Sequence, residues 1–468
     1  MDLAVAASQD ALLESLDFSL PSTSSYVLRR SNVTAFPSGA TVYNPGRGVN
    51  VTRITLASAS DWCDVQSIRI GWRIKNLDTE KQLNFAGGPG TLIERLRLYL
   101  GSTLIEDLPY YGRSATLLEH LLNTPDRVAN SAIESGMAAN HEGSVFEPTR
   151  EPTFPIQHFY PKIIRRNGGY VDVMHRPVCG ITSLTKHLPL WVTPLTFEIS
   201  WILPDDAVAR ENQFGVIRSN DATVTEAAQR GVSKNYEISN VILYYSSVVL
   251  DSSLTSGYAS ALKASKSLTF SMTSMSTQLQ LLAPGTTEFS LSLTRAVSKL
   301  TQIMVTFTFN KANENVVTYD HPSCSFGNPS AIDASGGPII KQDQLAFLNE
   351  PTTLQAQVQI GTLLYPERNI ESLAQFYYML TEACDTYTLG LKTLNISSKR
   401  FETNNFVIAM NTSKVPLITS TGCSTRSGDS VTVRVKNLSP ALTNLKAYVH
   451  FFFAQYVSLS ERSVQVMD

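Results

Sequence analysis

Charge is scarce in this chain, cysteine is scattered, and no long hydrophobic run occurs. Asp, Glu, Lys and Arg make up 17% of the 468 residues, against roughly 25% in ordinary soluble domains. The surface is therefore coated with Ser, Thr, Asn and Gln, or is covered by partners. The net charge is −2, and the densest basic spots are the pairs Arg29-Arg30 and Arg165-Arg166. Two arginines do not make a phosphate-neutralising arm, so direct nucleic-acid binding is not expected. The five cysteines, Cys63, Cys179, Cys324, Cys384 and Cys423, include no Cys-x-x-Cys pair. That removes the zinc knuckle and the redox motif and leaves reduced thiols. No segment reaches the ~18 apolar residues of a membrane-spanning helix. The opening stretch MDLAVAASQDALLESLDFSL carries Asp2 where a secretory signal wants positive charge, and its apolar runs are short. The expectation is a protein that is not secreted.

Catalytic signatures are missing as well. None of the histidines is paired as His-x-His or His-Glu-x-x-His, and the clustered histidines of jelly-roll cupins are absent. His175 and His187 lie among prolines and read as loop histidines bonded to backbone. Gly87-Gly88-Pro89-Gly90 lacks the Gly-Lys-Ser/Thr ending of a phosphate loop, and it reads, like Gly336-Gly337-Pro338, as a turn. Thr425 to Asp429 reads as a turn leading into a strand rather than as a Ser-Asp pair. Glu94, Glu106 and Asp107 lie on or near one hairpin, with Glu198 on a later strand. Paired carboxylates are the mark of glycoside hydrolysis, but spacing along the chain leaves their separation open. Strand-borne carboxylates are mostly solvated or ion-paired. No catalytic, cofactor-binding or metal-ligating residue is assigned, and no cofactor is expected.

What the chain does have is alternation. Leu445, Ala447, Val449, Phe451, Phe453, Val457 and Leu459 alternate with Lys446, Tyr448, His450 and Ser458, a long strand with one dry face. Ile68 to Lys75, Leu195 to Trp201, Val241 to Tyr245, Phe289 to Leu293, Ile303 to Phe309 and Val431 to Lys436 repeat the period. Ile93 to Glu106 reads as a hairpin turning at Gly101-Ser102. Two short amphipathic helices interrupt the strands. One follows Pro109, with Leu117, Leu118, Leu121 and Leu122 in a stripe, and the other has Ile370, Leu373, Phe376, Tyr377 and Leu380 at helical spacing. Asn130–Pro194 and Asn310–Gln344 are loop-rich excursions, and Met1–Leu20 reads as a short amphipathic helix. Strands, helix, loops and closing strand thus occur twice.

The fold expected is all-β: two tandem eight-stranded antiparallel jelly rolls with short helices and long loop insertions. Residues 1–24 form an N-terminal arm, 25–212 the first jelly roll, 213–235 a linker and 236–468 the second jelly roll.

The segment TLIERLRLYLGSTLIEDLPYYGRSATLLEHLL resembles the first-domain hairpin and helix of double jelly-roll major capsid proteins of tailless icosahedral DNA viruses, the lineage of adenovirus hexon and polinton-like viruses. NYEISNVILYYSSVVLD resembles the opening strands of their second jelly roll. FVIAMNTSKVPLITSTGCSTRSGDSVTVRVKNL and LKAYVHFFFAQYVSLSERSVQVMD are similar to their C-terminal strands. The resemblance implies a structural major capsid protein that self-assembles as pseudo-hexameric homotrimers into an icosahedral shell, with no enzymatic activity. It implies further copies of the trimer, penton proteins and minor capsid proteins as partners. It also implies contact of the N-terminal arm with an internal membrane, a place in the virion, and assembly inside the host cell, in cytoplasm or nucleus. The alternative from another class is a carbohydrate-binding or glycan-hydrolysing tandem β-sandwich protein.

Overall fold

A computed structural model describes residues 26–48, 50–83, 85, 88–122, 132–138, 160–161, 164–203, 233–309, 354–384, 394, 396, 401, 406–414, 421–426, 430–438, 445–461 and 463–467. The expected N-terminal arm, the loop 310–344 and most of the expected linker 213–235 lie outside these residues.

Among the described residues the first lobe holds twelve strands: β1 (Val27–Ala35), β2 (Val42–Tyr43), β3 (Val51–Leu56), β4 (Trp62–Asn76), β5 (Ile93–Leu100), β6 (Thr103–Pro109), β7 (Met137–Ala138), β8 (Tyr160–Pro161), β9 (Tyr170–His175), β10 (Leu188–Pro189), β11 (Leu195–Trp201) and β12 (Tyr236–Leu250). Its main sheets run β1-β12-β4-β10 and β3-β11-β5-β6, with β2 and β9 added to the first and β7-β8 a separate pair. Helix α1 (Tyr111–Leu122) follows the β5–β6 hairpin, and short helices α2 (Ala132–Ser135) and α3 (Gly180–Ser183) lie in the insert. Helix α4 (Ser252–Lys263) then leads to the second lobe. Asp251 caps it by accepting from the Ser253 backbone N–H.

The second lobe holds β13 (Leu268–Leu281), β14 (Glu288–Ser292), β15 (Leu300–Phe309), β16 (Gln355–Ile360), β17 (Leu363–Ile370), helix α5 (Leu373–Ala383), β18 (Val407–Asn411), β19 (Val431–Lys436), β20 (Leu445–Leu459) and β21 (Val464–Met467). Its sheets run β13-β20-β15-β18 and β14-β19-β16-β17, with β21 added beside β20. Among the eight main-sheet strands of each lobe, taken in chain order, successive strands step from one sheet to the other, except for one hairpin, β5–β6 or β16–β17, that stays within a sheet. A helix follows that hairpin each time. Eight strands in two antiparallel sheets with this order make a jelly roll, so the chain is a double jelly roll.

Inward-facing side chains fill each sandwich. In the first lobe Trp72 packs edge-on against Trp201 at 5.2 Å, and Tyr43 lies 6.4 Å from Trp201. Trp201 Nε1 donates to Thr52 Oγ1 at 2.7 Å, which satisfies a buried indole. In the second lobe Phe289 meets Phe307, while Phe451 and Phe453 follow each other along β20. Helix α5 starts in a capping box between Ser372 and Gln375 and buries Phe376 and Leu380.

Strand pairing moves the expected division of the chain. Tyr236–Leu250 does not open the second jelly roll. It pairs antiparallel with β1 along one side, from Val27 opposite Leu250 to Ala35 opposite Leu243. Along the other side it pairs with β4, from Tyr236 opposite Asn76 to Val248 opposite Trp62. It is a central strand of the first lobe, and α4 is the connection between lobes. The alternation of Val241, Leu243 and Tyr245 announces a strand but not its neighbours. The insert 130–194 also contains a strand that loop composition hides: Val171 and Val173 alternate in β9, which pairs with β4. Ile370 ends β17 rather than starting the helix. Leu243→Pro removes a ladder hydrogen bond that β12 makes to a neighbouring strand and leaves a buried acceptor unpaired, at an expected cost of about 1–3 kcal/mol. Hydrogen exchange checks the placement, because amide protection should fall in β1 and β4 and hold in β13.

Candidate functional site: the seam between the lobes

The final long strand has more than one dry face. From Ala447 to Gln455 every residue of β20 is buried. Phe451 and Phe453 fill the second lobe's own core. Tyr448, His450 and Phe452 alternate with them, and helix α1 of the first lobe meets that other face. Tyr110 packs edge-on against Tyr448 at 5.6 Å, and the Arg113 guanidinium lies over the Tyr448 ring at 5.1 Å. The pattern of β20 alone implied a solvated face at Tyr448 and His450, and the structure corrects this.

Taking that face out of water requires partners for its polar groups. His450 is 0% exposed. Thr277 Oγ1 of β13 lies 2.9 Å and Ser114 Oγ of α1 lies 3.2 Å from its Nδ1, with the two hydroxyls 2.8 Å apart. Thr306 Oγ1 of β15 lies 3.1 Å from Nε2. Burial, with the Arg113 guanidinium nearby, pushes the imidazole down to about 3. It is therefore neutral at ordinary pH, with each ring nitrogen bonded to hydroxyls that can donate or accept. A second buried histidine, His175 at the end of β9, is bonded within the first lobe. Tyr111 Oη accepts from the Val178 N–H at 2.7 Å and lies 2.8 Å from His175 Nε2. Burial, with the Arg69 guanidinium a smaller influence, pushes His175 down to about 3 as well. His175 and His450 are strand histidines held by side chains, not loop histidines held by backbone. His187 is exposed and does not share the environment of His175.

A second polar crossing is Glu106 on β6, 1% exposed. Its Oε1 accepts from the Gly180 N–H and from Ser274 Oγ of β13, each at 2.9 Å, and its Oε2 accepts from the Ile181 N–H at 3.2 Å. Burial raises its carboxyl above the usual range, against the pull of these donors and of Arg295. Gly180 is needed for the approach. A Cβ there would meet the Thr273 carbonyl oxygen at 2.8 Å and Met272 Sδ at 3.1 Å. Near the far end of the seam Thr103 Oγ1 reaches the Val464 carbonyl of β21 at 3.5 Å.

Of the other carboxylates raised by the sequence, Glu94 lies half-buried on β5 with its charge felt at Tyr110, while Asp107 and Glu198 are on the outer face of the β3-β11-β5-β6 sheet. Glu198 and Asp107 flank Arg97, with contacts of 2.8 Å and 3.7 Å. Arg53 also bonds Glu198, and Arg95 bonds Asp107. Partial burial opposes charge on Glu198, but the bonds from Arg53 and Arg97 together outweigh it and hold the carboxyl below the usual range. Glycoside hydrolysis pairs a protonated carboxyl with an ionised one; here the ionised Glu198 is on the outer face, and the raised carboxyl, Glu106, is sealed in the seam on its own donors. Gly90 lies in a tight turn against the His175 ring rather than at a phosphate cradle. Gly87, Gly336-Gly337 and Ser427–Asp429 lie outside the described residues. Among the described residues no group of three or more His, Cys, Asp and Glu is placed to hold a metal, and no helix is long and apolar enough to cross a membrane.

Two tandem jelly rolls in one chain are the fold of double jelly-roll major capsid proteins of large DNA viruses and virophages. The structural likeness runs the length of the chain. The Faustovirus major capsid protein matches with a TM-score of 0.57 at 10% identity, over 98% of this chain and 94% of that one. VP54 of PBCV-1, as fitted into a cryo-EM reconstruction of the virophage Sputnik, matches at 0.55 and 9% identity, over 96% and 98%. The cryo-EM structure of the Sputnik virophage itself matches at 0.55 and 9% identity, over 98% and 92%. No protein-family model matches the sequence, and no curated protein is similar to it.

Two substitutions probe the seam. Gly180→Ala should cost about 1–3 kcal/mol by forcing the lobes apart, read from urea unfolding. His450 is expected to set part of the acid sensitivity. Its pKa falls from 6.5 to about 3 on folding, so its stabilisation is full above pH 6.5 and is lost as pH falls toward the folded value. The raised carboxyl of Glu106 has the opposite sign and acts above its unfolded value of 4.5. Between about pH 4.5 and about pH 3.5, His450→Gln should therefore lose ~1.4 kcal/mol less stability per pH unit than the parent protein.

Proposed function

We infer that this chain is a structural major capsid protein whose work is to tile with copies of itself. The observation that carries this reading is the likeness to capsid proteins across 96–98% of the chain, both jelly rolls included. Two lobes of one topology in each chain mean that three chains would present six similar lobes around a three-fold axis. That is a pseudo-hexagonal tile, which closed symmetry favours. The low charge fraction of 17% suits a surface largely covered by neighbours. Exposed apolar residues lie on and beside the edge strand β1: Tyr26, Leu28 and Phe36 are 59%, 65% and 65% exposed. Such residues on an open sheet edge are the kind that association covers.

Trimers would then pack into an icosahedral shell with penton and minor capsid proteins as further partners, and the protein would reside in the virion after assembly inside the host cell. The N-terminal arm, residues 1–24, would face the interior and any internal membrane. With a net charge of −2 and no basic arm, genome binding falls to other components. The role is architectural rather than enzymatic.

Light scattering on the purified protein should give about three times the 51.4 kDa chain mass, or the mass of larger shells. Negative-stain images should show three-fold tiles. A stable monomer at micromolar concentration would overturn the reading.

A further inference from the structure

We propose that Glu106 is an inter-lobe positioning residue: its carboxylate, held from both sides of the seam, fixes the angle at which the second jelly roll stands on the first. This rests on the capsid reading for its purpose, since only a chain that tiles needs its two lobes at one fixed angle.

The geometry divides the three donors between the lobes. Gly180 and Ile181 offer backbone N–H groups from the start of α3, in the first lobe. Ser274 offers its hydroxyl from β13, in the second. One carboxylate therefore joins a rigid turn of one lobe to the edge strand of the other. Its two oxygens set direction as well as distance, because each accepts along its own lone pairs. Arg295, also of the second lobe, adds attraction across the seam. The absent side chain at Gly180 lets the Thr273 backbone come close enough for the clamp to close.

An apolar residue would fill the same space without desolvating a charge. Buried charged groups are often replaced by apolar ones at no loss of stability. What an apolar side chain cannot supply is orientation: hydrocarbon surfaces slide over one another at little cost, whereas the Ser274 hydroxyl must meet an oxygen that the Gly180 and Ile181 N–H groups already hold in place. The hydroxyl–imidazole chain through Ser114, Thr277, His450 and Thr306 supports the same alignment further along the seam. Ser114 enters it from the first lobe with bonds to both Thr277 and His450, so it is a second point at which the lobes are tied.

The test uses the full chain with spin labels attached through non-cysteine handles at two exposed positions, Gln66 on β4 and Arg434 on β19. Glu106→Leu and Ser274→Ala are compared with the parent protein for melting temperature, label–label distance distribution and yield of three-fold tiles. The expected result is melting within a few degrees of the parent, a distance distribution at least twofold broader, and a tile yield at least tenfold lower. Should Glu106→Leu fail to fold, Ser274→Ala removes only the second lobe's donor and carries the same measurement. An unchanged distance distribution in the folded variants overturns the proposal, whether or not the melting temperature falls, because Glu106 would then be an ordinary buried residue. If the parent protein forms no tiles, the capsid reading fails, and the distance distributions still decide the role of Glu106.

Discussion

Burial of β20 on both faces is the constraint on which the rest of the structure depends. A strand in a sandwich ordinarily turns one face to the core and the other to water. Here Phe451 and Phe453 meet the second lobe's core while Tyr448, His450 and Phe452 meet the first lobe. A single strand thus belongs to two packing interfaces, so the lobes are one body rather than two beads joined by α4. Apolar burial supplies the driving force at about 25 cal/mol per Å², and the polar groups carried in with it must find partners at the seam. The hydroxyl network around His450 and the three donors on Glu106 meet that requirement.

Edge strands follow the same economy. Each four-stranded sheet path leaves two edges, and unpaired edges invite association. At the seam, two edges shield each other: β13 lies against β6 and α3. In the second lobe α5 lies against β18, with Phe376 meeting Phe406 just ahead of the strand. The β1 edge carries exposed Tyr26 and Leu28, and the β17 edge carries exposed Leu363. Edges closed by the fold and edges left open are thus on different parts of the molecule.

Much of this was legible along the chain, and the parts that were not share a cause. The hairpin Ile93–Glu106 and the helix after Pro109 could be read because their signals are local: a Gly-Ser turn, a period of two, then a stripe of leucines. The topology of each lobe agrees with the pattern of strands, helix and closing strand seen twice. Tyr236–Leu250 went to the wrong lobe because its alternation is equally compatible with either sheet, and only hydrogen bonding to β1 and β4 assigns it. Glu106 looked like Asp107 in the sequence, one residue apart on one hairpin. Alternation sends neighbouring side chains to opposite faces, so one meets arginines at the surface and the other meets Ser274 in the dark. Signals for the seam were present in part: Tyr448 and Phe452 on the supposedly wet face are aromatic, and Ser274, Thr277 and Thr306 are small hydroxyl residues suited to close packing.

By itself the sequence determined the class of structure: antiparallel strands in two similar sets, sparse charge and short helices, all consequences of side-chain period and composition that act within a few residues. Only the tertiary structure decided which sheet each strand joins, which face of β20 is the second interface, and that one glutamate among several is drawn into the seam. Those outcomes depend on contacts between residues far apart in the chain, such as Ser114 with His450. The free energy of such a contact is set by what the rest of the fold places opposite it, a quantity that no local stretch of residues contains.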